Sequence, residues 1–283
     1  MPAALALLAS LLWGTADFLG GTATRRLPVA SVVGVSQLVA LLGLLPAAVA
    51  ADALDEPRSY LAPGLAAGLA GVLALAAFYR ALALGTMGVV APVAALGVVV
   101  PVAAGLVGGE SPSTLQLGGI ALAVLGVVLA SGPELSGRGG ALPLVLAGIA
   151  ALGFGAVFVF IAEGTASGSL GSVVMTLLTM RLVSVVLLTV LLLATLRSRG
   201  ADLGVRRADL PVLVAIGVLD VGANAAFATA SQSDLISVTA VLASLYPVIT
   251  VLLARQVHGE RLVGMQLIGV ALALTGVVLL ASG

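Results

Sequence analysis

The chain has 283 residues, of which 61% are hydrophobic and only 8% charged, and its mean hydropathy is +1.26. An ordinary soluble domain has about a quarter of its residues charged, so this composition excludes a soluble fold and places the chain in a bilayer. Its net charge is zero, every basic residue is an arginine, cysteine is absent and His258 is the one histidine, which argues against a basic nucleic-acid surface, disulfides, a His/Cys zinc centre and a lysine-dependent phosphate loop.

A membrane-crossing helix needs about 20 mostly apolar residues and must satisfy its backbone hydrogen bonds internally. Dividing the chain at charges and at Gly/Pro/Ser clusters gives ten such stretches. The first, 3–21, contains "LLWGTADFLGG". It lacks a basic leader and carries Asp17 in its second half, so it reads as a retained helix and not as a signal peptide. Trp13 and Asp17 are four residues apart and share a helix face. The second stretch, 28–50, has Gln37 in its middle; the third, 61–84, has Gly64 and Gly68 at a close-packing spacing, and Arg80. The fourth, 87–109, is interrupted by Pro92 and Pro101 and leads into a tight loop with Glu110. The fifth is 113–131, and the sixth, 141–162, ends beside Glu163. Arg181 lies in the seventh, 169–195, and Asp220 and Asn224, again four apart, in the eighth, 208–231. The ninth, 235–256, holds Tyr246 and Pro247, and a loop with His258, Glu260 and Arg261 precedes the tenth, 262–281.

With ten spans, both termini share one side. The opposite side receives Arg25, Arg26, Arg138, Arg197, Arg199, Arg206, Arg207, Arg255 and Arg261, whereas Arg58 on the terminal side is diluted by Asp52, Asp55 and Glu56. The positive-inside rule then puts both termini outside the cytoplasm of a cell-membrane protein.

An internal repeat is visible. Residues 101–132 and 247–283 both run Pro-Val, an apolar helix, a Gly-Glu or His-Gly-Glu turn, and a glycine-spaced helix. Glu110, Gln116, Gly119 and Gly126 recur 150 residues later as Glu260, Gln266, Gly269 and Gly276. A weaker match sets "LLWGTADF" at 11–18 against "LGFGAVFV" at 152–159. The chain thus divides into halves 1–134 and 135–283, each with five spans. An odd number makes the second half enter the membrane inverted relative to the first, an architecture shared by alternating-access transporters. The fold class expected is an all-α polytopic membrane protein of two inverted five-helix repeats.

The "WGTADFLGG" opening, "YRALALGTMGVVAPVAAL" in the third and fourth stretches, and the paired hairpins resemble the EamA family of the drug/metabolite transporter superfamily over essentially the whole chain. That resemblance implies a ten-helix carrier of a small organic metabolite, amino acid or toxic compound, with export favoured. Such relatives are drawn with cytoplasmic termini, the reverse of what the arginines here indicate.

Charges deep in a membrane are costly and mark functional sites or structural pairs. Asp17, Arg80, Arg181 and Asp220 fall inside spans, and comparable depth pairs Asp17 with Arg80 and Asp220 with Arg181. A cavity lined by Trp13, Asp17, Gln37, Arg80, Arg181, Asp220, Asn224 and Tyr246 would suit an amphipathic organic ligand; buried pairs that only fix helix register are the competing reading. Glu110 and Glu260, each at the start of the helix that follows it, are expected to cap that helix. Asp17 and Asp220 are the candidates for coupling to a proton or another ion, although an adjacent arginine opposes protonation. No cofactor is called for, and a single chain suffices because both halves lie in it. Without clustered nucleophiles or paired catalytic carboxylates an embedded enzyme is disfavoured, and a non-transporting assembly subunit is the remaining alternative.

Overall fold

The computed structural model describes residues 2–85, 87–130, 141–199, 204–232, 235–258 and 264–282. Twelve α-helices account for most of them: α1 (Pro2–Ala23), α2 (Val29–Ala50), α3 (Leu61–Leu84), α4 (Met87–Ala95), α5 (Val99–Val107), α6 (Thr114–Ala130), α7 (Leu142–Gly164), α8 (Leu170–Arg199), α9 (Leu210–Ser231), α10 (Ile236–Ala243), α11 (Tyr246–His258) and α12 (Gly264–Ser282). There is no strand among the described residues.

Among those residues seven helical segments are long and apolar enough to cross a membrane, and shorter apolar ones cover Val93–Val107 and Thr114–Gly126. Large side chains cover the outside as well as the core: Leu42, Leu73 and Leu152 are 57%, 59% and 68% exposed. A helix apolar on its outward face is stable only against lipid or another protein. The chain is a multi-pass membrane protein.

The predicted fourth and ninth spans are each two helices. The fourth breaks at a 3-10 turn, Leu96–Val98, and the ninth at Ser244–Leu245, between α10 and α11. Proline explains both positions. Pro101 cannot donate to the Gly97 carbonyl and Pro247 cannot donate to that of Ala243, so each ladder fails one turn before its proline.

Helix partnerships recur with the halves exchanged. α1 packs along α9 and α7 along α3; α1 crosses α10 and α11, while α7 crosses α4 and the Leu96–Val98 turn. Small residues permit these approaches. A methyl group added at Gly14 of α1 would strike the Tyr246 carbonyl oxygen, and one added at Gly155 of α7 would strike the Gly97 carbonyl oxygen. Each half's first helix therefore seats a glycine on the break in the other half's split helix. Gly64 and Gly68, expected as packing positions, press on Thr179 and Met180 of α8. The repeated glycines Gly119, Gly126, Gly269 and Gly276 are buried where α6 and α12 pack together.

Candidate functional site

A cavity lies at the centre of the bundle, enclosed by α1, α2, α3, α7, α8, α9 and the start of α11. Its empty space, open mouth included, is about 680 Å³. The lining contains Trp13, Asp17, Gln37, Arg181, Asp220, Asn224 and Tyr246. Seven of the eight residues predicted to share a site are therefore brought together.

Asp220 is the hub. Its carboxylate accepts hydrogen bonds from Trp13 Nε1 at 3.2 Å, Asn224 Nδ2 at 3.0 Å and Gln37 Nε2 at 3.4 Å. It also pairs with Arg181 Nη2 at 2.9 Å. Arg181 Nη1 donates to Gln37 Oε1 at 2.6 Å, closing a ring of three side chains from α2, α8 and α9. Arg181 is 2% exposed, so its charge is sustained by these acceptors and not by water. Asn224 reaches back one turn to Asp220, as the i,i+4 spacing predicts, donating also to the Asp220 carbonyl at 2.7 Å.

The apolar side of the cavity is aromatic. The Trp13 ring centroid lies 5.4 Å from that of Phe158 and 6.0 Å from that of Phe227, and the two phenylalanines are 4.7 Å apart. These tilted contacts hold the indole where its N–H meets Asp220.

Asp17 is placed differently. It is 7% exposed and lines the cavity, yet no donor among the described residues reaches its carboxylate. Arg80 does not supply the predicted partner: it is exposed and outside the lining. The reason is helical phase. α3 turns Gly71, Leu75 and Tyr79 toward the cavity, four residues apart, and position 80 points about 100° away from Tyr79. Close to the end of its helix, an arginine can extend its head group toward the interface.

Tyr79 itself is the residue missed from the sequence. It is 1% exposed, its phenol rests against α1 where Gly20 has no side chain, and it lies in electrostatic range of Asp17 and Asp220. The Gly71, Leu75, Tyr79 spacing was the available signal. The Tyr246 hydroxyl is buried and has no hydrogen-bond partner among the described residues.

Fourteen of the seventeen lining residues form pairs between the halves. Trp13, Ala16 and Asp17 of α1 correspond to Phe154, Val157 and Phe158 of α7, 141 positions on. Ser36 and Gln37 of α2 correspond to Met180 and Arg181 of α8, 144 positions on, and Gly71 and Leu75 of α3 to Asp220 and Asn224 of α9, 149 on. The cavity thus lies where the two halves meet, with matched positions and unmatched chemistry: the counterpart of Asp17 is Phe158, and that of Asp220 is Gly71.

Glu110 does cap a helix, but not the one that follows it. Its carboxylate accepts from the backbone N–H groups of Ile236 at 2.6 Å and Ser237 at 3.1 Å, at the first turn of α10 in the other half. The start of α6 is served by Ser113 and Gln116 instead. The Gln116 N–H donates to Ser113 Oγ at 3.1 Å and the Ser113 N–H to Gln116 Oε1 at 2.8 Å, a reciprocal capping box. Glu260, Arg261 and Arg138 lie outside the described residues. Among the described residues no three His, Cys, Asp or Glu side chains are grouped to hold a metal ion.

Residues 1–132 and 141–282 each match the EamA-like transporter family. The chain is also similar to a solved structure titled only "Crystal structure of protein", with 20% sequence identity and a TM-score of 0.74, over 98% of this chain and 95% of that one. That likeness concerns the fold. A search of curated proteins finds no match.

Proposed function

The chain belongs to the EamA-like transporter family, and from this premise we propose that it is a secondary carrier that moves a small organic molecule by alternating access through the cavity around Asp17 and Asp220. The observation that carries the reading is the position of that cavity. It lies between equivalent helices of the two halves, at their meeting point, with both split helices seated on the first helix of the opposite half. Exchanging the conformations of two such halves exposes a shared central site to either side in turn.

In this reading the α4–α5 and α10–α11 pairs each count as one span, and with α6 and α12 the chain crosses the membrane ten times, as two inverted five-helix repeats, 1–134 and 135–283. The lining residues named above bind substrate, and the split helices gate access to it. The arginines exposed opposite the termini, among them Arg25, Arg26, Arg206, Arg207 and Arg255, support termini outside the cytoplasm of the cell membrane. Export, driven by exchange or by a coupled proton or ion, is the direction favoured by the family resemblance. One chain supplies both halves of the site and acts as a monomer without a catalytic step.

Counterflow tests this. Purified protein in vesicles preloaded with unlabelled compound should accumulate the labelled compound transiently and saturably. Linear, non-saturating flux for every compound in a broad screen of amines, amino acids and aromatic acids would count against a carrier.

A further inference from the structure

The carboxyl groups of the cavity outnumber its cations. Arg181 is matched by Asp220 and by the Gln37 carbonyl oxygen. Asp17 is left over: more than nine-tenths buried, without a hydrogen bond or ion pair among the described residues, and close enough to Asp220 for the two negative charges to act on each other. The lining therefore holds two carboxyl groups against one guanidinium, and Asp17 is the one left without a cationic partner among the described residues. A carboxylate at this depth is costly without a counter-charge, and a cation arriving beside Asp17 supplies one.

We infer that the site's substrate is a monovalent organic cation, an amine in its ammonium form on an aromatic or apolar body, with its nitrogen seated on Asp17. The inference deepens the carrier reading and rests on it. Three features of the cavity fit this class. Asp17 offers two acceptor oxygens and the Tyr246 hydroxyl, without a partner among the described residues, offers a third, which matches the three donors of a primary ammonium. Trp13, Tyr79 and Phe158 line the cavity and supply aromatic surface to an apolar body. The lining also disfavours a zwitterion. An amino acid's carboxylate needs a free cation, and the Arg181 guanidinium is already paired with Asp220 and donates through Nη1 to Gln37.

Trp13 is the protein's single tryptophan, so intrinsic fluorescence reports this site alone. Purified protein is titrated with phenethylammonium and with three compounds of similar shape: phenethyl alcohol, 3-phenylpropionate and phenylalanine. The expected result is a saturable change with phenethylammonium at least about tenfold tighter than with the others, lost in Asp17→Asn and kept in Asp17→Glu. Asp17 makes no bond that holds helices together, and near-unchanged thermal unfolding of Asp17→Asn confirms that the variant is folded. Equal affinity for all four compounds, a preference for the anion or zwitterion, no response to the cation, or a cation preference that survives Asp17→Asn would each overturn the inference. Counterflow separates it from the parent reading. Saturable counterflow of phenylalanine without cation binding would leave a carrier with a different substrate class, and Asp17-dependent cation binding without any counterflow would leave a cation site without transport.

Discussion

Gln37 and Arg181 stand at equivalent positions of the two halves and bond directly to each other, Arg181 Nη1 donating to Gln37 Oε1 at 2.6 Å. The repeat brings two copies of one position face to face, and divergence has made one a neutral amide and the other a cation. Only the cation requires a counter-charge, and Asp220, whose own counterpart is Gly71, supplies it at 2.9 Å.

Breaking that pair should cost stability first. Arg181→Gln leaves the Asp220 carboxylate, and Asp220→Asn leaves the Arg181 guanidinium, charged in a largely buried ring; removing one partner of such a pair costs roughly 3–5 kcal/mol. Thermal unfolding in detergent should show both single variants well below the parent. The double variant Arg181→Gln/Asp220→Asn should recover most of the loss, because neither charge remains unpaired. Transport should be absent in all three. A double variant as unstable as either single one would mean that the pair is not the source of the loss.

Arg80→Gln should be nearly silent. Arg80 is exposed and makes no ion pair among the described residues, and substitutions at such positions change stability by about 0.5 kcal/mol or less. Counterflow rates within about twofold of the parent are expected, on the same scale. A complete loss would restore a role for Arg80 beside Asp17.

These two residues also mark where sequence reasoning succeeds and where it stops. Depth along a helix axis is legible in a sequence, and it pairs Arg181 with Asp220 correctly. Azimuth is legible only when several residues on one helix declare a face. In α9, Asp220 and Asn224 do so; in α3 the conspicuous Arg80 distracts from the Gly71, Leu75, Tyr79 stripe that lines the cavity. The repeat sets Gly14 and Gly155 at matching positions of the two octets, but that each seats on the other half's split helix is visible only in the structure. The target of the Glu110 cap is illegible, since it is set by which helix start lies beside the loop in space, 126 residues away in the chain.

Glu110→Ala should loosen the start of α10 and not that of α6. Loss of a capping side chain costs about 1 kcal/mol, and loss of a negative charge at a helix N-terminus adds to it. Hydrogen exchange read by mass spectrometry should show faster labelling of the segment containing Ile236 and Ser237, with the start of α6 unchanged. Ser113→Ala should do the converse, because it opens the capping box with Gln116. Faster exchange at α6 in Glu110→Ala would return the cap to the neighbouring helix.

The last prediction concerns glycines, which look alike in the sequence and differ in what surrounds them. A methyl group at Gly34 or Gly43 of α2 would meet no atom within 4 Å. Replacing glycine by alanine within a helix gains up to about 1 kcal/mol in backbone entropy when nothing is struck, so Gly34→Ala and Gly43→Ala should unfold at or slightly above the parent temperature. At Gly14 and Gly155 the added methyl would strike backbone carbonyl oxygens, of Tyr246 and Gly97 respectively. Backbone cannot rotate aside as a flexible side chain can, so the helices must separate, and overpacking of this kind costs about 1–3 kcal/mol. Gly14→Ala and Gly155→Ala should therefore lower the unfolding temperature by comparable amounts, since each disturbs the same joint in opposite halves. If that joint moves during transport, both variants should also slow counterflow more than an equally destabilising substitution on the lipid-facing surface. Equal thermal behaviour of all four variants would show that α1 and α7 are not seated on the helix breaks as the structure has them.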